Sequence, residues 1–268
     1  SGGIEIENWI EKKNGIIAAA VNEGFRFRQL YVNNKKAERA KYLNETGTWA
    51  RVEYDSQRKS FFLPEDEAVN KGIKEWEQMD KVEINVVSTF VTHQVKLEGV
   101  STVNNMTYLH VAEPAATILN EAKHIEGHEF DVYFENENEF LDMPGEWYLD
   151  ESVDTVYYKM KSGETLSNIK IIAPKIETLL NIDGANNIVF FGLLFEHNTW
   201  LRPSDSSLVS LQNLYKTASG GWPGNYPIPA AIDIQRSENI QFERNIIRYT
   251  GGTGIMAWDD QLKNLALI

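Results

Sequence analysis

The chain has 268 residues, of which 42% are hydrophobic and 11% aromatic, so it has enough apolar surface to bury a core in one or two domains. Its formal net charge of −13 argues against a nucleic-acid or anionic-membrane partner, because both of those surfaces are themselves negative. The chain has no cysteine, which excludes disulfide and thiolate chemistry, and no apolar run approaches the roughly 20 residues of a membrane span.

Residues 1–165 contain short segments in which apolar and polar residues alternate. Alternation of this kind is typical of half-buried strands. The clearest segments are residues 82–86, 93–100 and 155–158. We predict antiparallel strands in a β-sandwich-like module, with one short helix near residues 66–78. This half has no Gly-rich phosphate loop and no Gly-x-Ser-x-Gly sequence, and we predict neither a cofactor nor a metal site.

Residues 166–268 contain an internal repeat in which Asn is followed by alternating apolar residues. The repeats start at Asn168, Asn187, Asn239 and Asn264, with spacings of 19, 52 and 25 residues. Such spacings fit coils of a parallel β-solenoid in which one coil carries a long insertion. We predict parallel coils over this range, with the Asn side chains in turns and the alternating apolar residues inside.

The residues at the two ends of the chain indicate whether it is a piece of a larger protein. It starts Ser-Gly-Gly without Met, and residues 264–268 read as the beginning of a further coil. Solenoids normally finish with a polar cap instead of an open apolar layer. We therefore expect a piece of a larger protein from which a signal has been lost, and we expect self-association through its open β-layers.

Three parts of the sequence carry a resemblance to a known family. They are Arg-Gln-Leu-Tyr-Val-Asn at 28–33 with Ala-Glu-Arg-Ala at 37–40, Asn-Glu-Phe-Leu-Asp-Met-Pro-Gly-Glu-Trp-Tyr-Leu-Asp at 138–150, and Gly-Leu-Leu-Phe-Glu-His at 192–197. The chain resembles bacterial right-handed parallel β-helix glycoside hydrolases, a group that includes fucosidase-, xylosidase- and α-1,3-galactosidase-like enzymes. The resemblance implies an all-β fold, a right-handed parallel β-helix interrupted by a β-sandwich.

The resemblance also implies a function and a location. We expect a secreted, periplasmic or cell-surface glycoside hydrolase that acts on an oligosaccharide or polysaccharide from a plant, host or microbial glycan. One alternative is a non-catalytic glycan-binding or adhesin-type β-helix. Another is a polysaccharide lyase, which needs a basic residue and often Ca²⁺ near an acidic substrate, and the charge of −13 weakens it.

Glycoside hydrolysis needs two carboxyl groups on either side of the sugar bond. Asp259 and Asp260 follow a solenoid strand, and two adjacent acids beside Trp258 are candidate catalytic groups. The alternative for them is an exposed turn with local hydrogen bonds. The segment containing Glu146 and Trp147 is expected to serve the fold instead of the chemistry, because Pro-Gly supplies a tight turn before a packed strand.

Glu196 and His197 end a strand where the long insertion departs. Glu196 is a candidate catalytic acid and His197 a candidate ligand of sugar hydroxyls. Aligning the coils on their Asn residues also places Glu196 beside Arg248 and His197 beside Tyr249. The structural alternative is therefore an ion pair and a stacked ring pair between neighbouring coils.

The insertion itself contains aromatic and basic residues that suit sugar recognition, because rings stack on pyranose faces and Arg bonds hydroxyls or carboxylates. Trp200, Arg202 and Trp222 are the candidates there, and a loop folded back onto the solenoid is the alternative. Asp233 should point outward from the strand that follows the insertion, either as a residue of a groove or as ordinary solvated surface. We predict that one sugar-binding groove is surrounded by Glu196, His197, Trp200, Arg202, Asp233, Asp259 and Asp260.

Overall fold

The structure is a computed structural model that describes residues 1–42, 50–70, 72–76, 78–87, 92–121, 127–211, 214–216, 225–257 and 263–268. Strands dominate these residues, and the prediction of an all-β protein is confirmed. The short α-helices are α1 Glu65–Asn70, α2 Ala115–Glu121 and α3 Arg202–Ser206. Among the described residues, no helix is long and apolar enough to cross a membrane.

The strands of the first 165 residues are short and mostly antiparallel. They are β1 Gly3–Glu5, β2 Ile10–Glu11, β3 Ile16–Ala20, β4 Tyr31–Val32, β5 Lys35–Lys36, β6 Glu38–Arg39, β7 Lys41–Tyr42, β8 Ala50–Asp55, β9 Ser60–Pro64, β10 Glu83–Val87, β11 Thr92–Val103, β12 Met106–Val111, β13 Glu129–Glu135, β14 Glu146–Asp150 and β15 Thr155–Lys159. The strands predicted at 82–86, 93–100 and 155–158 are confirmed as β10, β11 and β15.

The rest of the chain alternates short strands with turns. Its strands are β16 Ile171–Pro174, β17 Leu180–Asp183, β18 Asn186–Phe191, β19 Leu194–Glu196, β20 Val209–Leu211, β21 Leu214–Lys216, β22 Asn225–Pro227, β23 Ala230–Gln235, β24 Glu238–Glu243, β25 Ile246–Arg248, β26 Thr253–Ala257 and β27 Lys263–Leu267. The insertion predicted as loop thus contains α3 and the antiparallel strands β20, β21 and β22.

The helix expected near residues 66–78 is interrupted. It ends as α1 at Asn70, and a separate 3₁₀ turn follows at Ile73–Glu75. Gly72 lies between them with a φ of 64°, a left-handed conformation that stops an α-helix.

Strands β7 to β13 form an antiparallel sheet that closes on itself. The strand order is β10-β11-β12-β9-β8-β13-β7, and a further pairing between β10 and β13 completes the closure. Alternation sends Ile84, Val95 and Phe134 to the inner face, where they join the largest apolar cluster of the described residues. We refer to this unit as the closed sheet. Its outer face carries the polar residues of the same strands.

Two further sheets contain the remaining N-terminal strands, and one of them also includes β16 from beyond residue 165. The five-stranded sheet has the order β2-β3-β15-β14-β6, and the four-stranded sheet has the order β1-β16-β4-β5. Ile17, Leu30, Trp147, Tyr158 and Ile171 form their shared core.

Parallel pairing occurs once before this point, between β6 and β14, and is repeated from Leu180 onward. Strands β17-β23-β26, β18-β24-β27 and β19-β25 form three parallel sheets, which we call the parallel ladders. Ile188 pairs with Ile240 and Ile240 with Leu265, as the alignment of the Asn repeats predicts. Ile240 is buried, whereas Ile188 and Leu265 are half-buried.

The Asn residues of three repeats form a continuous hydrogen-bonded stack. Asn239 Nδ2 donates to Asn187 Oδ1 over 2.9 Å, and Asn264 Nδ2 donates to Asn239 Oδ1 over 2.9 Å. All three residues have a φ between 54° and 60°, which Asn tolerates better than most residues. The repeated Asn therefore serves both the turn and the stacking of neighbouring strands.

The repeat at Asn168 differs from the other three, and the prediction that it starts a parallel coil is wrong. The strand after it, β16, pairs antiparallel with β1 and β4. The Asn pattern defines a local turn and the face of a strand, but not which strand lies alongside. Backbone from the start of the chain occupies that edge here. The division into residues 1–165 and 166–268 stays a prediction.

Candidate functional site

A polar cavity of about 350 Å³ lies where the outer face of the closed sheet meets the N-terminal segment and the insertion. This volume is in the range of small-molecule sites. The residues around it come from five parts of the chain, namely the segment from Arg28 to Lys41, Gln94 on β11, Tyr133 and Glu135 on β13, Trp200 in the insertion, and Gly251 after β25.

Strand alternation explains why polar side chains face this cavity. In the pairing of β10 with β13, Glu83 lies opposite Glu135, while the neighbouring pair Ile84 and Phe134 points into the core. Two acids directly opposite each other on one face repel, so the arrangement needs compensating charge.

Arg28 and Arg39 supply that charge. Arg28 Nη1 donates to both carboxylate oxygens of Glu83 over 2.7 Å, and Arg39 donates to the same two oxygens over 2.8 and 3.1 Å. Ser204 Oγ in α3 donates to Glu83 Oε1 over 2.9 Å. The Glu83 side chain is 0% exposed, and the Arg side chains are 7% and 9% exposed. This Glu83 cluster, consisting of Glu83, Arg28, Arg39 and Ser204, joins three distant parts of the chain.

The two acids titrate in opposite directions. Burial acts to raise the pKa of Glu83, but Arg28 and Arg39 outweigh it and hold that pKa well below its usual range. Burial also raises the pKa of Glu135, and here the attraction of Arg39, 3.8 Å away, is opposed by the charge of Glu83. Glu83 is therefore held in its ionised form, whereas burial makes ionisation of Glu135 less favourable than in water.

The remaining walls suit a ligand rich in hydroxyl groups. Burial, followed by the charge of Glu135, raises the pKa of Tyr133 to about 12, so its hydroxyl stays protonated and can both donate and accept. Trp200 contributes an aromatic side chain, and Gln29 and Gln94 contribute amides. Rings and planar amides of this kind recognise sugars.

A close backbone approach positions the wall that contains Trp200. A Cβ atom on Gly251 would lie 2.8 Å from Thr199 backbone atoms and 2.8 Å from Gln29 Oε1, so a larger residue does not fit without movement. Thr199 Oγ1 donates to Gln29 Oε1 over 3.0 Å. Gly251 thus allows the turn after β25 to pack against the residue before Trp200.

The contacts of Glu196 and His197 are those of the structural alternative, which is confirmed. Arg248 Nε donates to Glu196 Oε2 over 2.8 Å, and the His197 and Tyr249 rings stack with centroids 5.1 Å apart. The His197 side chain is 1% exposed, and burial lowers its pKa. In this arrangement it has almost no surface for a sugar. The catalytic role of Glu196 stays a prediction.

The other described candidates lie on different elements from Glu196, which ends β19. Trp200 is 8% exposed and packs with Leu208, so the insertion folds back at this point, yet its side chain still lines the cavity. Arg202 begins α3 and is half-buried. Asp233 is half-buried on β23, in a different parallel ladder from Glu196, and accepts from Gln235 Nε2 over 3.1 Å.

The prediction of one common groove is not tested as a whole. Trp222, Asp259 and Asp260 lie outside the described residues. The expected orientation of the catalytic pair therefore stays a prediction.

Glu146 shows the structural contacts expected of its segment. Its Oε2 accepts from the backbone N–H groups of Asp142 and Met143 over 3.2 and 2.9 Å, which closes the turn before β14. Burial, with a smaller contribution from Asp142, raises the pKa of Glu146 to about 7. Gly145 in this turn has a φ of 98°, which favours glycine.

Sequence reasoning missed the residues that line the cavity on the side of the closed sheet. Glu83 and Glu135 alternate with core residues, which is typical of a solvated strand face, and their partners are far away in the chain. Arg28 and Arg39 lie within the segments that carried the resemblance, and this was the available signal. Among the described residues, no group of three or more His, Asp or Glu side chains is placed to hold a metal ion.

Comparison with known proteins gives two matches. The family model described as "GH141 insertion domain" matches residues 15–161. A solved structure described as "Glycoside hydrolase" superposes with a TM-score of 0.82 and 26% sequence identity, over 95% of this chain and 48% of that one. This chain therefore spans about half the length of that glycoside hydrolase. No curated protein matches it. Because the family model covers more than half of its residues, the chain belongs to the GH141 insertion domain family.

Proposed function

We propose that this chain is part of a carbohydrate-active glycoside hydrolase. The observation that carries the proposal is the match to a glycoside hydrolase structure over 95% of the chain at a TM-score of 0.82. The substrate is an oligosaccharide or polysaccharide from a plant, host or microbial glycan, and the protein is secreted or works in the periplasm or at the cell surface. The polar cavity with its tyrosine and tryptophan supports a sugar ligand.

The proposal includes the architecture of the whole enzyme. The parallel ladders are coils of a right-handed parallel β-helix, and the closed sheet belongs to the module that interrupts it. In-register parallel pairing at three sides of the coil supports this arrangement, since β18 and β24 pair residues that are 52 positions apart, as do β19 and β25. The enzyme's chemistry lies at the β-helix, and the insertion provides neighbouring binding surface.

In this proposal Asp259 and Asp260 supply the catalytic carboxyl groups, with Glu196 as the third candidate. They follow β26, which pairs with β23, the strand that carries Asp233. Arg202 and Trp222 contact the glycan from the insertion. Protonation of the leaving group and attack on the sugar carbon are then divided between two carboxyl groups.

The test is turnover by the full-length protein on a panel of aryl-glycosides and oligosaccharides. Asp259→Asn and Asp260→Asn are expected to lower kcat by about 10³-fold or more with little loss of fold, because a lost acid or nucleophile affects the transition state. Asp183→Asn is the matched control, since Asp183 forms a surface ion pair with Arg236. Normal turnover by both catalytic variants would move the chemistry to other residues, and no turnover on any glycan would contradict the hydrolase proposal.

The second candidate is a glycan-binding module without catalysis. The burial of Trp200 against the cavity favours it, because an enclosed aromatic wall retains a sugar without any carboxylate pair. In that case Trp200→Ala weakens glycan affinity, whereas no carboxylate variant changes turnover. The same panel, scored for binding by calorimetry beside hydrolysis, separates the two candidates.

A further inference from the structure

The cavity has a charge opposite to that of the whole chain. Its cationic residues are Arg28, Lys36, Arg39 and Lys41, and its acids are Glu38 and Glu135. The chain as a whole has a formal charge of −13. A local excess of positive charge inside an acidic protein is not a consequence of composition, and it points to an anionic group in the ligand.

The excess remains after the internal ion pairs are counted. Glu83 lies behind the wall and neutralises one of the two guanidinium groups that it contacts. Glu38 forms an ion pair with Lys41 over 3.2 Å. With Glu135 ionised, four cations face three carboxylates, and protonation of Glu135 increases the excess to two charges.

Arg39 retains hydrogen-bonding capacity beyond the Glu83 cluster. Arg39 is one of the residues that line the cavity, and its buried Nε finds no acceptor among the described residues. Buried guanidinium donors normally have acceptors, and carboxylates fit the guanidinium fork well. Lys36 is exposed at the rim, where it can reach an anion without losing an internal partner that holds the fold.

We infer that this cavity binds a carboxylate-bearing sugar, a uronic acid unit of the glycan. The cations hold the carboxylate, and Tyr133, Gln94 and Trp200 contact the hydroxyl groups and the ring of the same unit. The inference rests on the proposed function only for the sugar nature of the ligand. It adds the acidic substrate class and a subsite that involves none of the candidate catalytic acids.

Substitutions of Glu135 and Lys36 should change the affinity for a uronate in opposite directions. A ligand carboxylate beside an ionised Glu135 is repelled, so Glu135→Gln is expected to strengthen uronate binding by about threefold to tenfold. Lys36→Gln is expected to weaken it by a similar factor. A cavity that only shapes the fold would not show opposite effects for the two variants. Gln keeps the size of Glu135 and removes only its 3.8 Å ion pair with Arg39, and Lys36 is exposed, so neither variant removes apolar packing.

The experiment is calorimetric titration of the 268-residue chain with a short oligogalacturonide and with the matched neutral galacto-oligosaccharide. The acidic ligand is expected to bind at least about tenfold more tightly, and added salt should reduce the difference. Lys170→Gln is the control, because Lys170 is 59% exposed and pairs with Glu5 on the surface. It should leave both affinities unchanged.

Three results would overturn the inference. They are equal affinity for the acidic and neutral ligands, no response to either Lys36→Gln or Glu135→Gln, and equally tight binding of acetate or inorganic sulfate, which would make the cavity a small-anion site. Hydrolysis by the full-length protein is scored separately. A uronate site in a protein without turnover contradicts the proposed function alone, and turnover without a uronate site contradicts this inference alone.

Discussion

The closed sheet and the parallel ladders bury their apolar residues to different extents. In the closed sheet, Ile84, Val95 and Phe134 are each 0% exposed, because closure gives the strands neighbours on both sides. In the ladders only the central coil is covered on both sides, so Ile240 is 0% exposed while Ile188 and Leu265 are half-buried. Strands with the same alternation of apolar and polar residues are therefore buried to different extents. The position of a strand within its sheet decides how much its apolar residues stabilise the fold.

The two regions also treat charge differently. The closed sheet has Glu83 and its two Arg partners buried at its outer face, whereas the ladders keep ion pairs such as Glu196–Arg248 near the surface. Removing one partner of a buried pair leaves an uncompensated charge, while exposed pairs contribute little. The difference predicts a clear order of mutational effects.

The largest effect is expected at the Glu83 cluster. Glu83→Ala leaves two buried guanidinium groups without their counter-ion, and we expect it to lower the free energy of unfolding by about 3–5 kcal/mol. Urea denaturation measures the change. Glu129→Ala is the matched control on the same sheet, since Glu129 is 54% exposed and pairs with an exposed Arg51. That variant should change stability by less than about 1 kcal/mol. Similar losses of unfolding free energy for both variants would show that the buried cluster stabilises the fold no more than a surface ion pair does.

A pair of phenylalanines tests the unequal burial within the ladders. Phe242 is 4% exposed and stacks on Phe190, whereas Phe191 is 55% exposed on the opposite face. Phe242→Ala should lower the free energy of unfolding by about 3 kcal/mol, because it removes a packed ring and leaves a cavity. Phe191→Ala should cost less than about 1 kcal/mol. Thermal and urea unfolding of both proteins decide the point, and a reversed order would contradict the assignment of inner and outer faces.

A smaller, pH-dependent effect is expected at Glu146. Its pKa is about 7 in the folded protein, above the usual value of an unfolded Glu, so its contribution to stability is complete below pH ~4.3 and is lost as the pH rises through 7. Relative to the natural chain, Glu146→Gln should therefore gain about 2 kcal/mol between pH 5 and pH 8.

Unfolding curves at several pH values measure that difference. Glu139→Gln is the control, because Glu139 is exposed in the 3₁₀ turn Asn138–Phe140, which lies shortly before Glu146. A pH-independent difference between Glu146→Gln and the natural chain would mean that the carboxyl group titrates as it does in the unfolded chain.

The smallest effect is expected for the Glu196–Arg248 pair. The Arg248 side chain is 42% exposed, so a double-mutant cycle with Glu196→Gln and Arg248→Gln should give a coupling free energy of about 0.5 kcal/mol. The same Glu196 variant in the full-length protein separates structure from catalysis. Unchanged kcat would leave only the ion pair as its role, whereas a large loss of kcat with this small stability change would support a catalytic role.

Several features followed from the residues alone. Alternation located β10, β11 and β15, because side chains on a strand point to opposite faces whatever lies beside it. The Asn repeats at 187, 239 and 264 gave the register of the parallel ladders, since each Asn adopts the same left-handed turn and bonds to the next. These are local properties or properties of a repeated unit.

Other features required the tertiary structure. The Asn168 repeat looks like the others, yet the strand after it pairs with the start of the chain. The Glu83 cluster joins residues that are 44, 55 and 121 positions away from Glu83, and no local pattern indicates such pairs. Sequence determined which face of each strand is polar, because alternation is a property of the backbone. Only the tertiary structure decided that the polar face of β10 and β13 is covered and encloses a cavity, because that depends on which distant segments pack against it.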